Sequence, residues 1–270
     1  VRLTAAQAGL ALITAQSFGL GGLANPQLNL FYTDAPCARG INIFILGKNL
    51  FETLLLNLVV YDQRSPIEQR GADLPDWEVD DPYLPARSIP NGYLDFLTWQ
   101  NRKIMLFPTQ LEDGLVVVDQ MTTAPGLTLS SEQRNPIHQY RVDEKTGAKI
   151  LRFTEGRALW RDSTALLDLS AKDQFHPAAI NLAHQLTIDG FFPRRKLRLA
   201  ANGMCTDPGK QKVFFYRGEQ FDFSNEILRD RYLVDQLNIA LTKANDCRNQ
   251  LWGSLRTMAG LFLAPESDQK

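Results

Sequence analysis

The amino-acid sequence predicts an α+β fold, in which a mixed α/β domain with β-hairpins is followed by the first long helix of a C-terminal helical bundle. One hairpin pattern covers residues 140–153, with its turn at 144–147. A second pairs residues 197–204 with 211–216 across an Asp-Pro-Gly turn. The third observation is a proline-free stretch at 225–263, in which apolar residues recur at helical spacing.

A helix of this length must bury its apolar stripe, most simply against further helices. The rest of the sequence offers few candidates for that role, and the chain opens at Val1 rather than at an initiator methionine. We therefore expect a fragment. Its mixed α/β domain would occupy residues 1–222, with an N-terminal part missing, and residues 223–270 would begin the helical bundle.

Hydrophobic periodicity and the positions of proline predict the remaining elements. The predicted helices are 3–17 (capped by Thr4), 49–61 and 93–99, and the predicted strands are 28–33, 41–46, 103–107 and 114–120. The apolar run at 54–61, which Asn57 interrupts, is expected to be buried. Residues 63–90 contain five prolines and are predicted to form an ordered surface loop.

The composition is ordinary for a protein that buries a core, with 44% hydrophobic and 22% charged residues. No apolar run reaches the roughly 18 residues that a membrane span needs, and no secretory signal is recognisable. Three scattered cysteines argue against a disulfide framework and favour the cytoplasm. The net charge of −1 excludes a global positive field, so contact with nucleic acid would depend on local patches.

No motif for catalysis or for a cofactor stands out. The three histidines have no partner at metal-ligand spacing, so no metal site is predicted. Gly19, Gly21 and Gly22 superficially resemble a dinucleotide fingerprint, but the strand–loop–helix context fails, and we expect no cofactor. A metal-independent hydrolase or transferase that uses Asp162 or His176 stays open as an alternative class. A structural scaffold that binds only protein is a third.

Four segments together resemble one protein family. The first consists of the helix and glycine loop at 5–23, Arg39-Gly40-Ile41-Asn42 and the helix at 49–61. The second consists of Trp77 and residues 89–104, and the third of residues 159–167. The fourth is the hairpin at 197–216 with the helix that follows it. In this order and spacing they resemble the CasA family, the large subunit of the type I-E CRISPR Cascade complex. The resemblance covers most of the chain and implies a central fragment of such a protein.

That resemblance implies a non-catalytic subunit of a crRNA-guided antiviral complex. The family's subunit recognises a protospacer-adjacent motif in double-stranded DNA, mainly from the minor groove. It then helps to open the duplex and recruits a helicase-nuclease in trans. The expected partners are therefore double-stranded target DNA, the crRNA-containing Cascade subunits and that helicase-nuclease, with no membrane.

The resemblance assigns the motif-reading loop to Gly19, Leu20, Gly21 and Gly22. Because glycine has no Cβ, the backbone N–H groups of such a loop can approach base edges and sugars closely. An ordinary tight loop is the alternative interpretation, since three glycines in four positions also suit a sharp bend.

The family's duplex-splitting wedge lies at a hairpin tip that resembles residues 207–211, and we expect Lys210 and Gln211 to act there. A polar side chain inserted under the last base pair of the motif would substitute for lost stacking and pairing. An exposed β-turn without a function is the alternative. The family's motif-contacting lysine cannot be placed, because residues 114–133 contain no lysine.

One dense basic cluster lies at the entry to the second hairpin and consists of Arg194, Arg195, Lys196 and Arg198. Basic residues interleaved with leucines at a strand entry suit a surface that follows DNA phosphates. A solvated face is the alternative interpretation. We expect this cluster to add affinity that falls with salt, while the glycine loop and the hairpin tip supply the discrimination between motifs.

Overall fold

The structure is a computed structural model that describes residues 2–61, 65, 67–143, 145, 147–171, 173–192, 195–207 and 212–263. It confirms the predicted α+β class. The helices are α1 (Ala5–Phe18), α2 (Leu50–Leu56), α3 (Tyr93–Leu97), α4 (Ser163–Leu167), α5 (Ala178–Ile188) and α6 (Arg231–Leu263). The strands are β1 (Leu3–Thr4), β2 (Gly22–Asn25), β3 (Leu30–Tyr32), β4 (Asn42–Leu46), β5 (Arg102–Gln110), β6 (Val116–Pro125), β7 (Tyr140–Asp143), β8 (Gly147–Ile150), β9 (Gln174–Phe175), β10 (Lys196–Thr206) and β11 (Val213–Ser224). Short 3-10 turns cover Asp76–Glu78, Leu159–Asp162 and Asn225–Leu228.

Both predicted hairpins are confirmed. β7 pairs with β8, and β9 lies on the other edge of β7. β10 and β11 form a longer antiparallel ribbon, in which Lys196 faces Ser224 at one end and Thr206 faces Val213 near the tip. β4 pairs with the free edge of β10, so the order β11-β10-β4 fixes the ribbon to the body of the protein by one strand.

The core lies against the inner face of this three-stranded sheet. Side chains of a strand alternate between two faces, and the inner series of β10 and β4 is apolar and fully buried. Helices α4 and α5 cover that face, and the main buried residues are Ile41, Ile43, Ile45, Leu166, Leu167, Ile180, Ala183, Leu197, Leu199, Ala201 and Phe223. The outer face of the ribbon therefore remains available to other elements.

Helix α1 has the predicted cap at Thr4 but begins at Ala5 rather than at Leu3, because Leu3 and Thr4 form strand β1. The Thr4 hydroxyl accepts a hydrogen bond from the Gln7 backbone N–H, and the Gln7 side chain accepts one from the Thr4 N–H. The helix lies against the sheet β1-β6-β5, but within α1 Ala8 is the buried residue, whereas Leu10 and Ile13 face outward. The end of α1 is directed toward the glycine loop, which follows it at Gly19.

The expectation that residues 54–61 are buried is wrong. Helix α2 ends at Leu56, which is its buried residue, and Leu54 is 60% exposed. Asn57 explains the end of the helix, because its amide donates to the Ile45 carbonyl at 2.7 Å and accepts from the Ile45 N–H at 3.0 Å. The polar residue that interrupts the apolar run thus satisfies the backbone at the edge of β4 and leaves the leucines outside.

The long helix is confirmed, although it begins at Arg231 rather than at Asn225. Asn225 is instead buried in the body of the protein, at the start of a 3-10 turn. Within α6 the buried residues are Val234 and Leu241, and the later apolar residues Leu251, Trp252, Leu255, Met258 and Phe262 are exposed. In the part of the chain that the structure describes, no helix is long and apolar enough to cross a membrane.

Replacement of Asn225 by alanine is expected to lower the free energy of unfolding by roughly 1–3 kcal/mol, because buried polar groups lose their partners. Its side chain accepts from the Arg195 N–H at 2.8 Å and donates to the Thr187 hydroxyl at 3.2 Å and to the Phe192 carbonyl. Asn249, exposed on α6, is the matched control, and its replacement by alanine should change stability by less than about 0.5 kcal/mol. Urea denaturation measures both, and equal effects would contradict the anchoring role.

Candidate functional site

The glycine loop packs closely against the protein itself. A Cβ at Gly19 would lie 2.5 Å from the Arg102 guanidinium carbon and 2.6 Å from the Ala15 carbonyl oxygen. A Cβ at Gly21 would lie 2.9 Å from both the Asp34 N and the Tyr32 O atoms. Real Cβ atoms do not approach heavy atoms this closely, so both glycines are needed for internal packing. This requirement exists whether or not DNA also approaches the loop.

Two side chains hold the glycine loop in place. The buried Arg102 donates from Nη2 to the Leu20 carbonyl at 2.7 Å, and its guanidinium lies over the Tyr32 ring. Asp34 accepts from the Gly21 N–H at 2.6 Å through Oδ1. Glycine loses more conformational freedom on ordering than any other residue. These contacts offset that loss and hold the loop in one conformation.

The glycine loop and the β10–β11 ribbon lie on the same side of the molecule. Together with the end of α1 they line a cleft of about 610 Å³, whose walls include Phe18, Gly19, Leu20, Met204, Val213 and Tyr216. Leu20 packs against Met204 in a small apolar cluster with Ala35 and Ala38. The two features that the resemblance singled out are thus brought together by the fold.

A chain of polar contacts also connects the loop to the ribbon. Arg39 donates from Nε to the second oxygen of Asp34 at 2.6 Å. The same guanidinium donates from Nη1 to the Asp207 carbonyl at 2.9 Å and to the Thr206 hydroxyl at 3.3 Å. Asp34 and Arg39 therefore bridge Gly21 and the last described residues before the hairpin tip.

Three guanidinium groups act on one carboxylate, that of Asp34, beside the glycine loop. Asp34 interacts electrostatically with Arg102 and Arg152 as well as with Arg39. Burial lowers the pKa of Arg102 and of Arg152, while Asp34 raises both. Of the three arginines, Arg39 and Arg102 are largely buried, and Arg152 is exposed to solvent.

The proposed wedge residues Lys210 and Gln211 lie outside the described residues, and their role stays a prediction. The flanks of the tip are described: the Asp207 N–H donates to the Lys212 carbonyl at 3.3 Å, which closes the ribbon before the turn. On the outer face of β11, Tyr216 is 77% exposed and Phe214 is 54% exposed. Exposed aromatic rings are suited to stacking on unpaired bases.

The basic cluster lies elsewhere. Arg194 is outside the described residues, Arg195 contacts Glu52, and Lys196 and Arg198 reach Asp222 at 3.1 and 2.8 Å. Hydrogen bonds from Arg198 and then Lys196 lower the pKa of Asp222 to about 2, so this carboxylate is ionised at neutral pH.

The structure does not bring this cluster to the glycine loop. Arg195, Lys196 and Arg198 line a second cleft, of about 670 Å³, together with Lys48 and Phe191. β10 has 11 residues, so at about 3.3 Å per residue its two ends lie roughly 30 Å apart. The cluster is at the opposite end of the ribbon from the tip and could serve DNA only at a distance from the motif.

The residues of the hydrolase alternative are not assembled into a catalytic pair. Arg157 holds the Asp162 carboxylate by two hydrogen bonds, at 3.0 and 2.5 Å. Burial lowers the pKa of His176, which lines a separate cleft with Arg134 and His138. No hydrogen bond among the described residues joins Asp162 to His176. Those residues also include no group of three histidines, cysteines or carboxylates that could hold a metal ion.

Sequence reasoning missed the residues that position the site. Arg39 stands in a segment that carried the family resemblance, but its contacts with Asp34 and Asp207 span up to 168 residues of sequence. Arg102 stands in another segment of the resemblance, 89–104, and Arg152 in the predicted hairpin at 140–153. Nothing in their local pattern signals that both interact with Asp34.

Comparison with known proteins identifies the family. Residues 1–264 match the family described as CRISPR-associated protein Cse1. The CRISPR-associated protein CasA/Cse1 of Thermus thermophilus is 32% identical over 256 residues, which cover 91% of this chain and 47% of that protein. The solved structure of Thermus thermophilus CasA (Cse1) has a TM-score of 0.76 at 30% identity, covering 97% of this chain and 56% of that one. A chain of a CRISPR RNA-guided surveillance complex has a TM-score of 0.69 at 22% identity, covering 96% and 53%.

These matches place the chain among the CRISPR-associated proteins. Within that class it belongs to the Cse1 family, also called CasA. The chain spans about half the length of the relatives it matches. The resemblance noted in the sequence is therefore confirmed at the level of the family and of the fold.

Replacement of Gly21 by alanine is expected to destabilise the protein by about 1–3 kcal/mol, because the new Cβ overlaps the Asp34 backbone. Gly71 is the matched control, since a Cβ there would meet no heavy atom within 4 Å. Chemical denaturation of the two variants tests the packing requirement. Equal stability of Gly21→Ala and Gly71→Ala would show that Gly21 has no such requirement.

Proposed function

We propose that this chain belongs to a non-catalytic subunit of a crRNA-guided Cascade complex. The subunit would recognise a protospacer-adjacent motif in double-stranded DNA, help to open the duplex and recruit a helicase-nuclease in trans. One observation carries the proposal: the glycine loop and the β10–β11 ribbon line a single cleft and are bridged by Asp34 and Arg39. A duplex that touches the loop would therefore meet the tip of the ribbon as well.

The charges and side chains of the cleft support a nucleic-acid ligand. Arg217 lines this cleft, and Arg152, which interacts with Asp34 beside the loop, is exposed, so both would attract phosphates despite the net charge of −1. The exposed rings of Tyr216 and Phe214 offer stacking surfaces for bases that lose their partners. Phosphate attraction supplies affinity, whereas the small loop and the tip supply selection and opening.

The proposed partners follow from the relatives. A similar fold occurs in a chain of a CRISPR RNA-guided surveillance complex, which supports crRNA-containing partner subunits for this chain. Arg157 holds the Asp162 carboxylate, and no hydrogen bond among the described residues joins it to His176, which supports a subunit that leaves cleavage to another protein. A protein-only scaffold would differ in one measurable way, since its binding to the complex would not depend on the DNA motif.

The distant basic cluster would contribute phosphate contacts away from the motif. A separation of roughly 30 Å corresponds to about nine base pairs of B-form DNA. Contacts at that distance cannot read the motif, because phosphates carry no direct sequence information. We therefore assign Arg195, Lys196 and Arg198, with Arg194, to affinity that is independent of sequence.

Replacement of both Lys210 and Gln211 by alanine is expected to reduce opening of the duplex beside the motif by roughly tenfold or more. Unstacking a base step costs a few kcal/mol, and without the wedge side chains that cost is no longer offset. Opening is measured by the fluorescence of 2-aminopurine next to the motif, in the complex reconstituted with full-length protein and crRNA. Gly21 is a poorer target for this purpose, since any side chain there displaces Asp34 before DNA arrives.

Lys145 provides the matched control, because it occupies the turn of the other hairpin. Lys145→Ala should leave both motif-dependent binding and opening unchanged. Unaltered opening by the Lys210/Gln211 double variant would remove the wedge assignment. Binding by the wild-type protein that is the same for intact and scrambled motifs would remove motif recognition itself.

Replacement of Asp222 by asparagine is expected to strengthen sequence-independent DNA binding, because Lys196 and Arg198 lose the carboxylate that neutralises them. The slope of log K against log salt should steepen by roughly 1 to 2 as these cations take up phosphates. Filter binding over a salt series measures the slope, and Asp173→Asn, facing Arg141 at 3.7 Å on another hairpin, is the control. Identical slopes for both variants would show that the cluster is only a solvated face.

A further inference from the structure

The contacts of Arg39 are concentrated where the β10–β11 ladder becomes irregular. The pairing register shifts between Cys205 and Thr206, so the end of the ribbon near the tip is not held by a regular ladder of hydrogen bonds alone. Arg39 donates to the Thr206 hydroxyl and the Asp207 carbonyl immediately beyond that shift. Arg39 thus adds side-chain contacts to the body of the protein at Thr206 and Asp207, where the ladder is irregular.

The opposite side of the same guanidinium belongs to the glycine loop. Residues 34–39 run alongside the loop. The Ala35 N–H donates to the Gly19 carbonyl at 2.8 Å, and the Cys37 N–H donates to the Ser17 carbonyl at 2.9 Å. Asp34 divides its two carboxylate oxygens between the Gly21 N–H and Arg39. A displacement of Gly21 would therefore move Asp34, and Asp34 would in turn move Arg39.

The ion pair between Asp34 and Arg39 is partly shielded from solvent. The Arg39 side chain is 10% exposed, while Asp34 is 41% exposed and borders the loop. A guanidinium has a planar set of donors that can address two directions at once, whereas a lysine is a single point charge. Nε is directed to the loop and Nη1 to the ribbon, so the geometry requires an arginine at this position.

We propose that Asp34 and Arg39 are positioning residues that couple the glycine loop to the hairpin tip, so that contact of DNA with the loop sets the tip for opening the duplex. The inference rests on the proposed function and adds a means of coupling its two steps. Neither side chain needs to touch a base: Asp34 holds the loop, Arg39 holds Thr206 and Asp207 next to the tip, and their contact transmits a displacement of one to the other. Such coupling predicts that binding of the motif and opening of the duplex can be separated by mutation.

The test compares closed duplex DNA with DNA that is already mismatched beside the motif. In the full-length protein reconstituted with crRNA and its partner subunits, Asp34→Asn and Arg39→Lys should weaken binding to closed duplex by roughly tenfold to a hundredfold, the usual worth of a charge-assisted hydrogen bond. On the mismatched DNA both variants should bind within about twofold of the wild-type protein, with the preference for the intact motif retained. A residue that only stabilises the fold would reduce binding to both DNAs equally, and that result would overturn the proposal.

A double-mutant cycle provides the second measurement. If the two residues act through each other, the Asp34→Asn/Arg39→Lys variant should lose no more opening than either single variant. Additive losses would show that they act independently and would also overturn the coupling. Arg87→Lys is the control, because Arg87 makes a comparable two-bond pair with Asp95, at 2.6 and 2.8 Å, in another part of the protein.

Failure of the inference and failure of the proposed function give different results. If the wild-type complex shows no dependence on the motif, the proposed function fails before any variant is compared. If the wild-type complex depends on the motif and opens the duplex, but Asp34→Asn and Arg39→Lys behave like Arg87→Lys, only the coupling is wrong. Thermal denaturation of all three variants confirms that they are compared in the folded state.

Discussion

The alternation of side chains along the β10–β11 ribbon is the constraint on which the rest of the structure depends. Leu197, Leu199 and Phe223 must enter the core, and the period of two then sends Tyr216 and Arg198 to the outer face. A slip of one residue in the register would exchange the two faces. Because burial of the inner face fixes the register, it also fixes which residues face the glycine loop.

The glycine loop illustrates how packing and recognition can demand the same residue. Gly19 and Gly21 are required by the atoms of Arg102, Ala15 and Asp34 that lie behind them. The N–H groups of Gly19 and Gly21 already donate to the Ala15 carbonyl and to Asp34, so contact with a groove would use other atoms of the loop backbone. Substitution of the glycines alone does not separate a packing requirement from a role in motif reading.

The net charge does not indicate where this protein could bind a phosphate, because its charges are arranged unevenly. The chain carries 29 basic and 30 acidic residues, yet one carboxylate, that of Asp34, interacts with the guanidinium groups of Arg39, Arg102 and Arg152. At the other end of the ribbon, Asp222 pairs with both Lys196 and Arg198 and offsets one of their two positive charges. Electrostatic attraction acts over about 8 Å at physiological salt, so local arrangement decides where a phosphate can bind.

Local patterns in the sequence predicted α1 with its cap at Thr4, both hairpins and the long helix α6, since hydrogen bonding and side-chain period are set by near neighbours. The motif segments predicted the family, which the comparisons confirmed, and through it the glycine loop and the hairpin tip. The sequence did not reveal that Leu54 is exposed, because burial depends on which elements are present to cover a helix.

Only the tertiary structure decided which of the predicted site residues meet. It brought the glycine loop beside the β10–β11 ribbon, placed Arg195, Lys196 and Arg198 roughly 30 Å from the tip, and supplied Asp34 and Arg39 as the bridge. These relations join residues far apart in the chain, and the free energy that creates them comes from burial of the whole core. By itself the sequence determined the local elements and the family; the packing of the core determined that the glycine loop and the β10–β11 ribbon line one cleft.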